Sequence, residues 1–130
     1  MAKAIFVFGS NEAGIHGAGA AAFAYSKRGA RYGFSYGHSG ESFAIPTKNE
    51  DIQTLPLIMI QGYVNGFLAY AYGKRKLKFM VTRIGCGLAG YKDHEIAPMF
   101  EGAPLNCLFD EKWRQYLGDD YTYFVEGENK

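Results

Sequence analysis

Two glycine-rich windows carry the residue types and spacing that most clearly predict chemistry in this sequence. The first window holds Gly9, Gly14, Gly17 and Gly19, and the second holds Gly85, Gly87 and Gly90. Each window follows a short apolar run and precedes a predicted helix, so its backbone N–H groups can point at an anion, and the missing Cβ atoms let phosphate approach closely. We therefore predict a ligand with two phosphates, or with a phosphate and a ribose, bound mainly by backbone amides. The alternative is that these glycines only form tight turns.

Neither window matches a well-known nucleotide motif closely. No Gly-Lys-Ser or Gly-Lys-Thr follows either one, which excludes a Walker A loop. The second window has the G-x-G-x-x-G spacing of a dinucleotide fingerprint, with Asp110 twenty residues after Gly90. The helix that this fingerprint requires does not begin at the last glycine, and a chain of 130 residues has no room for a catalytic domain as well. We therefore disfavour a Rossmann fold.

Three other side chains could take part in chemistry. Cys86 lies between glycines, where a thiol pKa can be lowered, but no histidine stands near it in the sequence to act as a base. His16 lies inside the first window and could donate to a phosphate, although an exposed loop position is the alternative. Arg83 lies in an apolar run, where a buried guanidinium needs an anionic partner, and we favour a structural ion pair. The cysteines and histidines match no usual metal-ligand spacing, so neither a metal nor a cofactor is predicted.

A scaffold of alternating strands and helices must position these residues. Apolar runs predict strands at residues 4–8, 42–45, 79–84, 106–109 and 121–125, with Pro46 ending the second one. Helices are predicted at residues 20–27, 56–72 and 111–117, with a short one starting near Asp93. This alternation is typical of α/β layer folds.

The uncharged segment 52–73 is the one part of the chain that needs a membrane check. Polar residues, glycines and a proline interrupt it, which argues against a membrane span. Its apolar residues instead form the stripe of a helix that covers a sheet, namely Ile60, Val64, Phe67, Leu68 and Ala71. The opposite face, with Gln61, Asn65 and Tyr72, is predicted to meet solvent, or alternatively a second copy of the chain in a homo-oligomer.

Length, composition and charge narrow the function classes further. The 130 residues, 48% of them hydrophobic, predict a single domain over residues 1–130 with its own core. A net charge of +1 argues against a protein that coats nucleic acid or an anionic membrane. The cations at residues 74–78 are interpreted as a solvated helix end rather than a nucleic-acid contact. Two cysteines and the short apolar run at residues 4–8 favour a cytoplasmic protein without a secretory signal.

Three sequence runs resemble a known family. GSNEAGIHGAGAAAFA, SFAIPTKN and RIGCGLAGYKDHEIAPMF are similar to macrodomains, most closely to the branch of the terminal ADP-ribose protein glycohydrolase, and to small phage and bacterial proteins with the same pattern. The resemblance extends over residues 5–100. It implies a macrodomain-like three-layer α/β/α fold with a central mixed sheet. It also implies binding of ADP-ribose or a related NAD-derived nucleotide, either free or attached to a macromolecule.

The resemblance also assigns roles to residues. It implies that Asn11 lies beside the distal ribose, that residues 14–20 surround the pyrophosphate, and that residues 85–91 close over the phosphates. The complete predicted ligand-binding set is Gly9, Ser10, Asn11, Gly14, His16, Gly17, Ala18, Gly19, Ala20, Gly85, Cys86, Gly87, Leu88, Ala89, Gly90 and Tyr91. Apart from the resemblance, aromatic side chains could contact the ligand or stack on an adenine, with packing in the core or in a surface loop as the alternative for the first three: Tyr32, Phe34, Tyr36, Tyr91 and Phe100.

The residues at positions 48 and 89, Lys48 and Ala89, bear on whether the protein only binds a nucleotide or also hydrolyses it. Lys48 coincides with the lysine that attacks the distal ribose in the glycohydrolase branch, a role that needs a neutral amine. That branch has an acidic residue where this chain has Ala89, and losing acid–base help typically costs about 10²- to 10⁴-fold in rate. We therefore expect nucleotide binding with little or no turnover. The alternatives are an ADP-ribosylhydrolase that uses Lys48 and a phage structural or interaction protein that binds no nucleotide.

Overall fold

The chain forms a six-stranded mixed sheet with helices on both faces. A computed structural model describes residues 3–125. Its strands are β1 (Ile5–Asn11), β2 (Gly37–Ser39), β3 (Ser42–Lys48), β4 (Phe79–Val81), β5 (Cys107–Asp110) and β6 (Thr122–Phe124). Its helices are α1 (Gly19–Lys27), α2 (Leu57–Gly73), α3 (Asp93–Ile96) and α4 (Arg114–Leu117), with 3₁₀ turns at Ala97–Phe100 and Glu111–Trp113. The strand order is β2-β3-β1-β4-β5-β6, and only β2 runs antiparallel to its neighbour.

Side-chain alternation along the central strand builds two cores. Phe6 and Phe8 of β1 pack with the alanines of α1, whereas Ile5 and Val7 belong to the larger core on the α2 side. Both faces are apolar because a parallel strand in the middle of such a sheet is covered on each side. The result is the three-layer α/β/α fold that the sequence predicts.

The helical stripe predicted for residues 56–72 is confirmed. Ile60, Val64, Phe67 and Ala71 are fully buried against the sheet, and Leu68 is half-buried. Pro56 stands immediately before α2, where its missing N–H removes no helical bond. No helix within residues 3–125 is long and apolar enough to cross a membrane. The outer face of α2 exposes Ile58 and carries no charge, and the homo-oligomer contact suggested for this face stays a prediction.

Four strands differ from the prediction by more than one residue, and the first of them, β1, continues past residue 8 to Asn11. β3 continues through Pro46 to Lys48, because β2 pairs with it only as far as Ala44 and a missing N–H is tolerated where a strand has one neighbour. β2 is not predicted from the sequence, because Gly37–Ser39 is short and shows no alternation of apolar and polar residues. β4 ends at Val81, since both the amide and the hydroxyl of Thr82 donate to the Val7 carbonyl and the chain then turns.

The direction of the strands determines where the two glycine windows lie. β1, β3, β4 and β5 are parallel, so their carboxyl ends meet at one edge of the sheet. The first window begins at Gly9 within β1 and continues beyond the strand, and the second follows β4, the neighbour of β1 in the sheet. Ligands of open α/β sheets bind at this edge.

Candidate functional site

One cavity of about 530 Å³ opens at the carboxyl ends of the parallel strands, and both glycine windows line it. Its volume is in the range of small-molecule sites, roughly 300–1,000 Å³. The predicted site residues that line it are Gly9, Ser10, Asn11, Gly17, Ala18, Gly19, Ala20, Lys48, Gly85, Cys86, Gly87, Leu88 and Ala89. Gly14, His16, Gly90 and Tyr91 do not line it.

The first loop is held by contacts within the protein. The amide group of Asn11 donates to the Ile15 carbonyl at 2.7 Å and accepts from the Ile15 N–H at 3.0 Å. Asn11 therefore faces the cavity with its side-chain polar atoms already engaged in fixing the loop. Gly14 has a φ of +71°, and a Cβ placed there would lie 2.5 Å from the backbone carbon of Gly33. Gly14 shapes the loop through this close approach instead of contacting the cavity.

His16 is part of the packing behind the first loop. It is only 1% exposed, and its ring packs edge-on against Phe8 and beside Tyr32. Its Nε2 donates to the Arg31 carbonyl at 2.7 Å. The suggested role of His16 as a phosphate donor is therefore not supported by its position, because the donor atom is used inside the protein.

The N-terminus of α1 supplies amides to the cavity. Ala18 precedes the helix in an extended conformation, no side chain caps it, and its first turn contains no acidic residue. The N–H groups of residues 17–21 have no hydrogen-bond partner within residues 3–125, and all five of these residues line the cavity. Unpaired N–H groups and the positive end of the helix dipole make this a favourable position for an anion.

The second loop presents a further set of amides. Gly85 and Gly90 both have positive φ, and the Tyr91 N–H donates to the Gly85 carbonyl at 2.8 Å, which closes the loop. Between them, the amides of Gly87, Leu88 and Ala89 have no partner in the described part of the chain. All three of these residues line the cavity.

Two contacts anchor the second loop to the segment after β3. The Tyr91 hydroxyl donates to the Leu55 carbonyl at 2.6 Å, and the Thr54 hydroxyl donates to the Ala89 carbonyl at 2.9 Å. The predicted role of Tyr91 as a ligand contact is thus replaced by a supporting one. Both contacts hold the loop over the end of β3, beside Lys48.

Arg83 forms the structural ion pair that the sequence predicts. Its guanidinium donates two hydrogen bonds of 2.8 Å to the carboxylate of Asp93, which also accepts from the Trp113 indole at 2.7 Å. These hydrogen bonds, those from Arg83 above all, lower the pKa of Asp93 to about 2. Arg83 lines the cavity, but its charge is balanced by Asp93.

Cys86 is not an activated nucleophile. Burial and the nearby Asp93 carboxylate raise the pKa of its thiol to about 12, and burial does the same for Cys107. A catalytic thiol needs the opposite shift. The electrostatic surroundings of Cys86 therefore agree with a packing role.

We expect both cysteines to react slowly with a thiol reagent in the folded protein. At pH 8 a thiol with a pKa of about 12 is ionised to a fraction on the order of 10⁻⁴, and the thiolate is the reactive form. Labelling by a chromogenic disulfide at pH 8 should be slow in buffer and rapid in denaturant. Fast labelling of one thiol in the native state, lost in Cys86→Ser, would contradict this assignment.

Lys48 lines the cavity without an ion-pair partner within residues 3–125. Three carboxylates that could replace the missing acid at position 89, those of Asp93, Glu12 and Glu41, are engaged or distant. Asp93 pairs with Arg83, and Glu12 accepts a 2.6 Å hydrogen bond from the Tyr63 hydroxyl. Glu41 precedes β3 and hydrogen-bonds through its backbone to Phe6, at the opposite edge of the sheet. Lys48 thus has a positive charge at the cavity and no placed proton-transfer partner.

The far end of the cavity contains residues that the predicted site omits. Asp110, at the end of β5, is 4% exposed and accepts one hydrogen bond from the Lys112 N–H through one oxygen. Phe124 of β6 lies next to it in register, and it is the one aromatic side chain lining the cavity in the described part of the chain. None of the five aromatic residues proposed from the sequence lines it; Phe100, for example, is fully buried against Trp113. The sequence feature that could have identified Asp110 as a site residue is its position directly after the predicted apolar strand 106–109.

Among residues 3–125, no group of three or more histidine, cysteine or acidic side chains is arranged to hold a metal ion. The remaining cavity-lining residues are Ile15, Ala21, Thr47, Ile52, Met80, Thr82 and Ile84. The site is therefore a cleft of backbone amides and small or apolar side chains, with Lys48 and Asp110 as its charged groups besides the Arg83–Asp93 pair.

Comparison with known proteins does not identify this chain further. The family resemblance of the three sequence runs stays a prediction. No family model, no curated protein and no solved structure matches the chain.

Proposed function

We propose that this protein binds ADP-ribose or a related NAD-derived nucleotide, with little or no turnover. One observation carries the proposal. Two separate sets of residues whose amides have no hydrogen-bond partner within residues 3–125, namely residues 17–21 and residues 87–89, line the same cavity at the carboxyl edge of the sheet. Backbone N–H groups at such an edge suit phosphate oxygens, and two sets suit a diphosphate.

The two ends of the cavity support a nucleotide rather than inorganic diphosphate alone. Asp110 keeps one carboxylate oxygen without a hydrogen-bond partner within residues 3–125, and it can accept an N–H from the amino group of a base. Phe124 beside it is 5% exposed and belongs to the core on the α1 side, so it makes the wall of the cavity apolar at this end. Lys48 at the other end suits a ribose hydroxyl or a phosphate oxygen. An adenosine diphosphate linked to a ribose matches the order of these groups along the cavity, from Asp110 and Phe124 through the amides to Lys48.

The alternative function is an ADP-ribosylhydrolase in which Lys48 attacks the distal ribose. The position of Lys48 supports it, because this lysine lines the same cavity as the amides of both glycine loops. Against it stand Ala89 and the engagement of Asp93 and Glu12 in other contacts. Without a positioned acid or base, the rate falls by about 10²- to 10⁴-fold. Binding without efficient turnover is the better supported function.

Calorimetry and thermal shift with ADP-ribose test the proposal. A ligand at one hundred times its dissociation constant should stabilise the fold by about 2.7 kcal/mol. Lys48→Ala should weaken binding by about tenfold, the loss of one charge-assisted contact. Lys76→Ala, at an exposed position outside the cavity, is the matched control and should bind like the wild type. No heat and no thermal shift with ADP-ribose would overturn the proposal and favour an interaction protein.

Release of ADP-ribose from a modified peptide separates binding from hydrolysis. We expect no measurable release by the wild type, because Lys48 has no proton-transfer partner in the part of the chain that the structure describes. Ala89→Asp restores a carboxylate at the loop and is the informative gain-of-function variant. Rapid release by the wild type that disappears in Lys48→Ala would establish the hydrolase instead.

A further inference from the structure

Three exposed apolar side chains form a rim on the cavity, and the functions above leave them unused. Ile15, Ile52 and Leu88 are 48%, 43% and 72% exposed, and all three line the cavity. They come from three different segments: the first glycine loop, the turn after β3 and the second glycine loop. Single exposed apolar residues are common, but an apolar patch on a concave surface marks a contact site.

The hydrogen bonds place this apolar rim at the Lys48 end of the cavity. The backbone of Ile15 is bonded to the side chain of Asn11, which is the register partner of Lys48. Ile52 lies in the turn that follows Lys48, and Thr54 at the end of that turn donates to the Ala89 carbonyl beside Leu88. Ile15 and Ile52 therefore lie opposite the end that contains Asp110 and Phe124, and the side chain of Leu88 extends over the start of α1, where a Cβ on Gly19 would lie 3.7 Å from its Cδ1.

Ile52 is held in a conformation that isoleucine rarely adopts. Its φ is +62°, and it is the one non-glycine residue with positive φ in the described part of the chain. The side chain of Asn49 accepts from the N–H groups of Asp51 and Gln53, and these bonds fix the turn. Glycine or asparagine would occupy this position with less strain. A β-branched apolar residue there brings a stiff hydrophobic surface to the cavity at a backbone cost, as is seen at ligand sites.

The charge at this end limits what can cover the apolar rim. Lys48 lines the same end without an ion-pair partner within residues 3–125. A cationic ring brought there would meet a like charge in a partly desolvated site, whereas an uncharged ring would meet only apolar carbon. A charged side chain of a modified protein would leave the apolar rim exposed.

We propose that the ligand is a dinucleotide diphosphate whose second nucleoside carries an uncharged planar ring, packed against Ile15, Ile52 and Leu88. This rests on the proposed function, since the diphosphate and first nucleoside occupy the amide loops and the Asp110 end. It adds a second ring site at the Lys48 end. The ring extends beyond the distal ribose, where ADP-ribose ends in a hydroxyl group.

Titration calorimetry with four probes tests the proposal. We expect NADH and diadenosine diphosphate, which carry uncharged second rings, to bind about tenfold more tightly than ADP-ribose. NAD⁺ differs from NADH in bearing a cationic ring and should bind more weakly than NADH. ADP-ribose binding equal to or tighter than that of both uncharged dinucleotides would overturn this inference and leave the proposed function standing. Failure of all four probes to bind would overturn the proposed function itself.

Variants of the apolar rim locate the ring. Ile52→Asn should weaken NADH binding by about tenfold and change ADP-ribose binding by less than about twofold, and Leu88→Ala should weaken NADH binding more than ADP-ribose binding. Ile52→Asn suits the left-handed backbone, so it should retain or raise the melting temperature, which separates lost contact from lost folding. Ile58→Ala, an equally apolar and exposed change on α2, is the control. Equal weakening of NADH and ADP-ribose would assign these residues to loop closure over the diphosphate and overturn the ring site.

Discussion

Replacing Gly14 with alanine is expected to destabilise the fold by about 3 kcal/mol, the combined cost of a left-handed alanine and of overpacking. The φ of Gly14 is +71°, and the added Cβ would lie within 2.7 Å of three backbone atoms of Gly33 and Phe34. Backbone atoms cannot move aside as a flexible side chain can. For a domain of this size the melting temperature should fall by roughly 12 °C.

The matched control for this change is Gly17→Ala in the same loop. Gly17 has no positive φ, and a Cβ there would meet nothing within 4 Å. Its melting temperature should stay within about 2 °C of the wild type, because no contact is lost and no strain is added. Equal melting temperatures for the two variants would show that the approach of Gly14 to Gly33 does not shape the loop.

The second large effect is expected from Asp93→Asn. The change weakens two hydrogen bonds from Arg83 and one from Trp113 and leaves the guanidinium without its counter-charge. We expect a loss of about 2 kcal/mol in the free energy of unfolding, less than for a fully buried pair because both partners are about one-quarter exposed. Asp120→Asn, on an exposed turn, is the control and should leave stability unchanged.

The same carboxylate predicts a dependence of stability on pH. Its pKa is lowered in the folded protein from 3.8 to about 2. The unfolded chain therefore binds this proton at a higher pH than the folded chain does, so the stabilisation is complete above about pH 4 and is lost as the pH falls towards 2. Denaturant unfolding between pH 2.5 and 6 should show this slope in the wild type and a shallower one in Asp93→Asn. Identical slopes would contradict the assignment.

The sequence predicts those strands and helices whose formation is indicated by the residues within the segment itself. β1 is a continuous apolar run, and the buried stripe of α2 repeats with the helical period, so both are visible without a partner. β2 is a strand only because it pairs with β3, and its residues Gly37–Ser39 carry no pattern of their own. The sequence predicts that Pro46 ends β3, but whether a proline ends a strand depends on which neighbours need its N–H, which is a property of the sheet.

The candidate site divides in the same way. The glycine windows are predictable because a strand, a loop and a helix follow one another locally, and parallel strands bring such loops to one edge. His16 and Tyr91 lie inside those windows, yet contacts with Arg31 and Leu55 turn them away from the cavity, and these contacts span fifteen and thirty-six residues. Phe124 lines the cavity because β6 pairs with β5, and Ile52 lines it in a turn where its φ is positive. Neither the strand order nor this φ can be predicted from the sequence pattern.

The central position of β1 affects how the chain is synthesised and folded. β1 is synthesised before the other five strands of the sheet, yet one of its two neighbours is β4, and Ile5 pairs with Phe79. The edge of β1 that pairs with β4 therefore stays uncovered until β4 has also been synthesised. Joining such distant segments makes folding slower than in a fold built from local contacts. During translation the nascent chain thus carries an uncovered aggregation-prone segment, the kind of surface that chaperones shield.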